Sequence, residues 1–323
     1  MRPRLLPDTH LLPSDQGIVI RGPRHTAAFP VPGMYAWLER IRPFLDGSRS
    51  IDQLVAELPP AAAQHVRTLV QLLAREGFVR DAEGDLPHGL SPEIRVRHSA
   101  LIDFIALRAD SPEHRFELYR NCAPVVFGSG RMGSAVILAL LASGVERVRL
   151  VPLDSRERTV IQPDLTRLDE CVELLRREGG VFRYEAIPGT DCSLPADAGL
   201  AVVASDEFDP EISTRIRAAA ARSGLAYAQA VVRGRRVHLS TLRDLDMASY
   251  GDPVPGPEDG PEGPEHDGRY LGGPVAALAA NQLCLQLLHR TAGLGEQGSG
   301  GTAAPEEAVL DLATARFLTA RPA

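Results

Sequence analysis

Apolar positions along the chain follow two rhythms, and the change between them divides the sequence. Near the start, "THLL" (Thr9–Leu12) and "GIVIRG" (Gly17–Gly22) are short extended runs separated by the turn signal "PSDQG". His25–Val31 gives a third candidate strand, with Gly22-Pro23 marking the turn before it. Helical spacing then takes over. Met34, Trp37, Leu38 and Ile41 fall on one face of a first helix, which Pro43 and Gly47 end. Ser50 and Gln53 have the spacing of a capping box, and open a second helix with the stripe Ile51, Leu54, Val55 and Leu58. Val66, Leu69, Val70 and Leu73 line a third helix, with Gly77 as its stop. Phe78–Asp81 closes this front unit as a short extended stretch.

Beyond a polar Gly/Pro-containing linker at residues 83–95, strands and helices alternate: "APVVFG", "SAVILALLASG", "RVRLV", "DECVELLRREGG", "VFRYEAI", "AGLAVVAS", "PEISTRIRAAAARSG", "LAYAQAVV" and "RRVHLST". That order predicts an α/β domain over residues 96–323, built on a parallel sheet with helices on both faces. Residues 251–268 carry five Pro, five Gly and six acids in eighteen positions, the composition of a flexible acidic loop. "GPVAALAANQLCLQLLHRTAG" predicts a long late helix, and "AVLDLATARFLTARP" a closing hairpin.

Composition narrows the function classes. The 323 residues are enough for two domains with a sizeable core. The net charge is −7, and the first 100 residues hold 12 Arg against 11 acids, so no basic block invites nucleic acid or anionic lipid. All 35 basic residues are arginine; lysine is absent. The four cysteines, Cys122, Cys171, Cys192 and Cys284, have no zinc-pair spacing and read as free thiols of a reducing cytoplasm. Neither a signal-peptide core nor an 18-residue apolar run is present, so neither secretion nor a membrane span is expected.

"VVFGSGRMGSAVILALLASGVERVRLVP" (Val125–Pro152) holds G-x-G-x-x-G between a strand and a helix. Gly128 suits the tight turn, Gly130 close approach to a phosphate, and Gly133 helix–strand packing. The context fixes a doubly wound, Rossmann-type fold more firmly than it fixes nucleotide use, because the same glycines also serve packing. A nicotinamide reductase wants a ribose-binding acid at the end of the next strand. That strand ends in Pro152, and Asp154, 21 residues beyond Gly133, is the displaced candidate. No hydride-transfer acid or base stands out.

Residues 9–82, with "LLPSDQGIVIRG…AWLERIRPFLDGSRSIDQLVAELP…VRTLVQLLAREGFV", resemble the PqqD-like leader-peptide recognition element. From about residue 100, the fingerprint segment, "ADAGLAVVASDEFDPEISTRIRAAAARSGLAYAQAVVRGRRVHL" and the late helix and strand pair resemble the ThiF-like relatives of ubiquitin-activating enzymes. The fusion is similar to the ThiF-like partner proteins of YcaO cyclodehydratases. The resemblance implies a winged-helix-like front domain of three strands and three helices over residues 1–82, followed by a ThiF-like Rossmann-type domain.

It further implies that a precursor leader adds a strand at His25, Thr26, Ala27, Ala28 and Phe29, with Pro30 ending donation, against a groove beside the third helix. Arg67, Gln71, Ala74 and Arg75 are that helix's groove-facing candidates. Arg67 and Arg75 read either as a solvated face or as a rim for acidic leader residues. Active adenylating relatives carry an acid after the second strand, an N-x-x-R-like segment and a lysine for triphosphate. Here, in "VPLDSRERTVIQPDL", Pro152 stands where the ribose-binding acid would fall and no N-x-x-R segment appears, and the chain holds no lysine. Asp206 takes the position of the family's Mg²⁺-binding acid, or else caps its strand. Gly128, Gly130, Gly133, Asp154 and Asp206 therefore form a vestigial nucleotide site. Cys192 lies on the loop where relatives place a thioester cysteine, without a neighbouring base. The expectation is a non-catalytic, cofactor-free cytoplasmic scaffold that pairs with itself, captures a leader peptide and presents it to a YcaO enzyme. An ATP-dependent adenylating enzyme is the alternative, and the nicotinamide reductase a third.

Overall fold

The computed structural model describes residues 1–128, 130–153, 165–187, 192–206, 208–242, 271–294 and 307–318. Asp154, the rest of the "DSRERTVIQPD" stretch and the acidic loop at 251–268 lie outside these residues. The chain forms two compact units, Met1–Glu117 and Leu118–Ala323.

In the first unit the three extended runs form a meander of β2 (His10–Ser14), β3 (Gly17–Arg21) and β4 (Thr26–Phe29), paired antiparallel in that order. Pro13 lies inside β2, although the sequence reads it as turn. The strand tolerates it because β2 is an edge, and a proline's missing N–H can face outward there. A further strand, β1 (Pro3–Leu5), pairs with β5 (Val79–Asp81). Three residues carry no periodic signal of their own, so only the pairing reveals β1.

The helices start and stop largely as their capping chemistry dictates. These are α1 (Met34–Ile41), α2 (Ile51–Val55) and α3 (Pro60–Arg75). At α2, Ser50 Oγ accepts from Gln53 N at 3.2 Å and Gln53 Oε1 from Ser50 N at 2.9 Å, a complete capping box. Gly77 has φ 74°, the left-handed conformation that ends α3. Val66, Leu69, Val70 and Leu73 are buried as their spacing requires, in one core with Ile18, Ile20, Met34 and Leu38. Leu58 is the exception: α2 stops at Val55, which leaves Leu58 exposed.

This unit extends beyond residue 82 and beyond the expected linker at 83–95. Three short helices follow: α4 (Pro92–Arg97), α5 (Ser99–Ala106) and α6 (Pro112–Arg120). Charge pairing binds this segment to the front. Arg80 grips Asp85 with two hydrogen bonds of 2.7 and 2.6 Å, Ser111 N donates to Asp85 at 2.9 Å, and Arg4 grips Glu113 at 2.8 and 2.6 Å.

The second unit holds one eight-stranded sheet in the order β13-β12-β11-β10-β9-β6-β7-β8. Its strands are β6 (Pro124–Gly128), β7 (Arg147–Pro152), β8 (Arg183–Ala186), β9 (Leu200–Ser205), β10 (Ala226–Arg233), β11 (Arg236–Leu242), β12 (Glu307–Asp311) and β13 (Arg316–Leu318). The run from β10 through β9, β6 and β7 to β8 is parallel, as the alternation predicts. From β10 to β13 the sheet is antiparallel, so it is mixed rather than parallel throughout. Gly234 and Arg235 alone join β10 to β11, and two residues are too few for a parallel crossover. Helices α7 (Gly130–Ala142) and α10 (Gly273–Thr291) pack on each other, with α8 (Leu165–Arg177) beside α7. Helix α9 (Pro210–Arg222) covers Val125, Phe127, Ala201, Val203, Tyr227 and Val231.

Candidate functional site

Two places carry the residues singled out by sequence. The first is the end of β6. A Cβ at Gly128 would stand 3.1 Å from the Ala204 carbonyl and 3.2 Å from Gly133 Cα. One at Gly133 would stand 3.3 Å from the same carbonyl. Both glycines therefore let α7 press against β6 and β9. Gly130 has φ 63°, and a Cβ there would lie 2.2 Å from Asp206 Oδ2. The reason is the position of Asp206. Its two carboxylate oxygens accept from the free amides that open α7: Oδ2 from Arg131 N at 2.9 Å and Oδ1 from Met132 N at 2.7 Å. Burial pushes this carboxyl above its ordinary value, and the two amides and the Arg131 charge offset only part of that shift. Arg131, which the sequence reading passed over, turns its guanidinium to the Leu271 carbonyl at 2.7 Å. Pro152 pairs in register with Gly128, and Leu153 N donates to the Gly128 carbonyl at 2.9 Å.

The fold is that of PaaA and MccB. No family model matches the chain, and no curated protein sequence aligns with it significantly. Among solved structures, PaaA superposes with a TM-score of 0.63 and 15% identity, over 96% of this chain and 97% of that one. E. coli MccB solved with ATP gives 0.55 and 14%, over 98% and 96%. The microcin C7 biosynthetic enzyme MccB in complex with N-formylated MccA gives 0.55 and 13%, over 98% and 96%. At these identities the likeness is one of fold.

The second place is the free edge of β4. The bond from Gly22 N to the His25 carbonyl, 3.0 Å, sets the alternation along the β3–β4 ladder. With Ile20 opposite Ala27 and Ile18 opposite Phe29, those pairs exchange hydrogen bonds. The N–H and C=O groups of Thr26 and Ala28 consequently face away from β3. Their side chains are exposed, whereas Ala27 and Phe29 are partly buried on the core shared with α3. On the opposite edge the same alternation turns Leu11 and Pro13 outward, and Pro13 has no N–H to offer. His25 stacks on Phe78, with ring centroids 4.6 Å apart, at the start of β4.

Helix α3 packs on α2 and β5, and α1 on β2 and β3. Arg67 is engaged by Asp52 of α2 at 2.6 Å. Gln71 and Arg75 are exposed, Ala74 is partly buried, and Arg75 contacts Glu76 at 3.4 Å. Cys192 lies partly buried against the core under α9. Among the described residues no three His, Cys, Asp or Glu side chains gather around a metal position. No helix among them is long and apolar enough to cross a membrane.

Proposed function

We propose that this chain captures the leader of a ribosomally made precursor peptide as an added strand on β4, and presents it to a YcaO-type cyclodehydratase. The observation that carries the reading is the asymmetry of the small sheet. One edge is blunted by an outward proline, and the other offers the Thr26 and Ala28 peptide groups to an incoming chain. Main-chain bonds give affinity there without regard to sequence. Choice comes from side chains at the border: His25, Thr26 and Ala28 on the strand, and Gln71, Ala74 and Arg75 on the helix. MccB, which shares the fold, has been solved with MccA, and this supports a peptide as the ligand class. In this reading the front unit is the PqqD-like, winged-helix-like element, the protein works in the cytoplasm, two copies pair, and the large unit serves as a scaffold.

The test is a titration of the full chain with synthetic leaders of short precursors encoded in the same gene neighbourhood, read by fluorescence anisotropy. Ala28→Pro removes an outward N–H and no ladder bond, so the fold is kept and binding weakens by about tenfold or more. Pro13→Ala, on the other edge, leaves binding unchanged. Equal binding by wild type and Ala28→Pro would overturn the proposal.

A second reading is ATP-dependent adenylation of a peptide, favoured by the MccB structure with ATP. It calls for phosphate-neutralising charge that a chain without lysine must find in arginine. Peptide-dependent exchange of pyrophosphate into ATP would establish it.

A further inference from the structure

We propose that Asp206 is a resident anion: its carboxylate keeps the phosphate seat at the start of α7 closed, and the free chain takes no nucleotide phosphate there. This goes beyond peptide capture and does not depend on it. The opening amides of a helix, with its positive dipole end, favour a bound anion. Here two of those amides, Arg131 N and Met132 N, are already taken by the two oxygens of one side chain. Gly130 is what allows the approach, since any Cβ there would collide with that carboxylate. The fingerprint's single cation is also turned away, its guanidinium held by the Leu271 carbonyl.

A phosphate arriving at the seat must therefore displace a covalently tethered competitor of like charge. If Asp206 fills the seat nine-tenths of the time, the apparent affinity of any rival anion falls about tenfold. The raised carboxyl follows from the same geometry, because burial at the seat costs the charge more than the amides return. The fingerprint thus keeps Gly128 and Gly133 for packing and Gly130 for the approach of Asp206, while its anion site is satisfied from within.

Calorimetric titration of the full chain with inorganic pyrophosphate and with MgATP tests this in wild type, Asp206→Gly and Asp206→Asn. Wild type is expected to give no saturable response to either. Asp206→Gly should bind pyrophosphate at least about tenfold more tightly than wild type. Asp206→Asn, which keeps an acceptor oxygen but loses the charge, should fall between them. Saturable binding of MgATP by wild type that either substitution abolishes would overturn the proposal, since Asp206 would then be a ligand for the nucleotide's metal. Identical pyrophosphate responses in all three proteins would overturn it as well. Should Asp206→Gly fail to fold, Asp206→Asn decides alone: a gain over wild type supports the proposal and no gain overturns it. Leader titrations on the same samples report peptide capture separately, so failure of one idea is distinguishable from failure of the other.

Discussion

Asp197 receives two guanidinium groups at once, Arg147 at 2.5 Å and Arg149 at 2.7 and 2.5 Å. The hydrogen bonds from Arg149, then the charges of Arg149 and Arg147, hold its carboxyl down at about 2, from an ordinary 3.8. A depressed carboxyl stabilises the fold above its ordinary value, and that contribution is lost as pH falls through its folded value. The Asp197 pair should therefore contribute fully above about pH 5, fade as pH falls and vanish by about pH 1. Carboxyl-carbon NMR titration should find a midpoint near 2 in wild type, moving back toward 3.8 in Arg149→Ala. Asp206 illustrates the opposite case, a carboxyl that burial pushes up while helix amides hold it in place. Neither behaviour is visible in the sequence. Asp197 and its arginines are some fifty positions apart, and the fold alone makes them neighbours.

Among the elements, α3 shows how far periodicity reaches. Four apolar positions at helical spacing identified its buried face, and Leu73 is 1% exposed. Truncating it to alanine removes packing that cannot close up, so Leu73→Ala should cost the first unit about 2–5 kcal/mol in urea unfolding. Small strands obey different rules. β4 was legible from its turn signals, but which of its peptide groups face outward depends on the register with β3. β1 has no pattern at all. The helices α4 and α6 did have a signal that went unread: Ser91-Pro92-Glu93 and Ser111-Pro112-Glu113 each place a capping residue, a first-turn proline and a first-turn acid in order. At α4 the Ser91 hydroxyl accepts from Ile94 N at 3.4 Å.

For the whole molecule, the compact front unit ends at Glu117. Arg4, Arg80, Asp85 and Glu113 are each largely buried, with side chains 14–19% exposed, and they complete one another only when residues 83–117 are present. A fragment of residues 1–82 strips Arg4 and Arg80 of their carboxylates. Hydrogen bonds to charged groups contribute about 1.5–3 kcal/mol each. Residues 1–117 should accordingly unfold at a higher temperature than residues 1–82, by several degrees in a circular-dichroism melt.

Sequence alone determined what depends on neighbours along the chain: the alternation that makes an α/β sheet, the helical stripes, the capping box at Ser50 and the glycines after β6. Tertiary structure alone decided what depends on distant partners. It fixed the mixed direction of the large sheet, the end of the front unit at Glu117, the outward peptide groups of Thr26 and Ala28, and the seating of Asp206 on α7. Local propensity and capping act over a few residues and leave a written pattern. Pairing register and the meeting of a carboxylate with an amide 74 positions away, or with a guanidinium 109 positions away, arise only once the chain is folded.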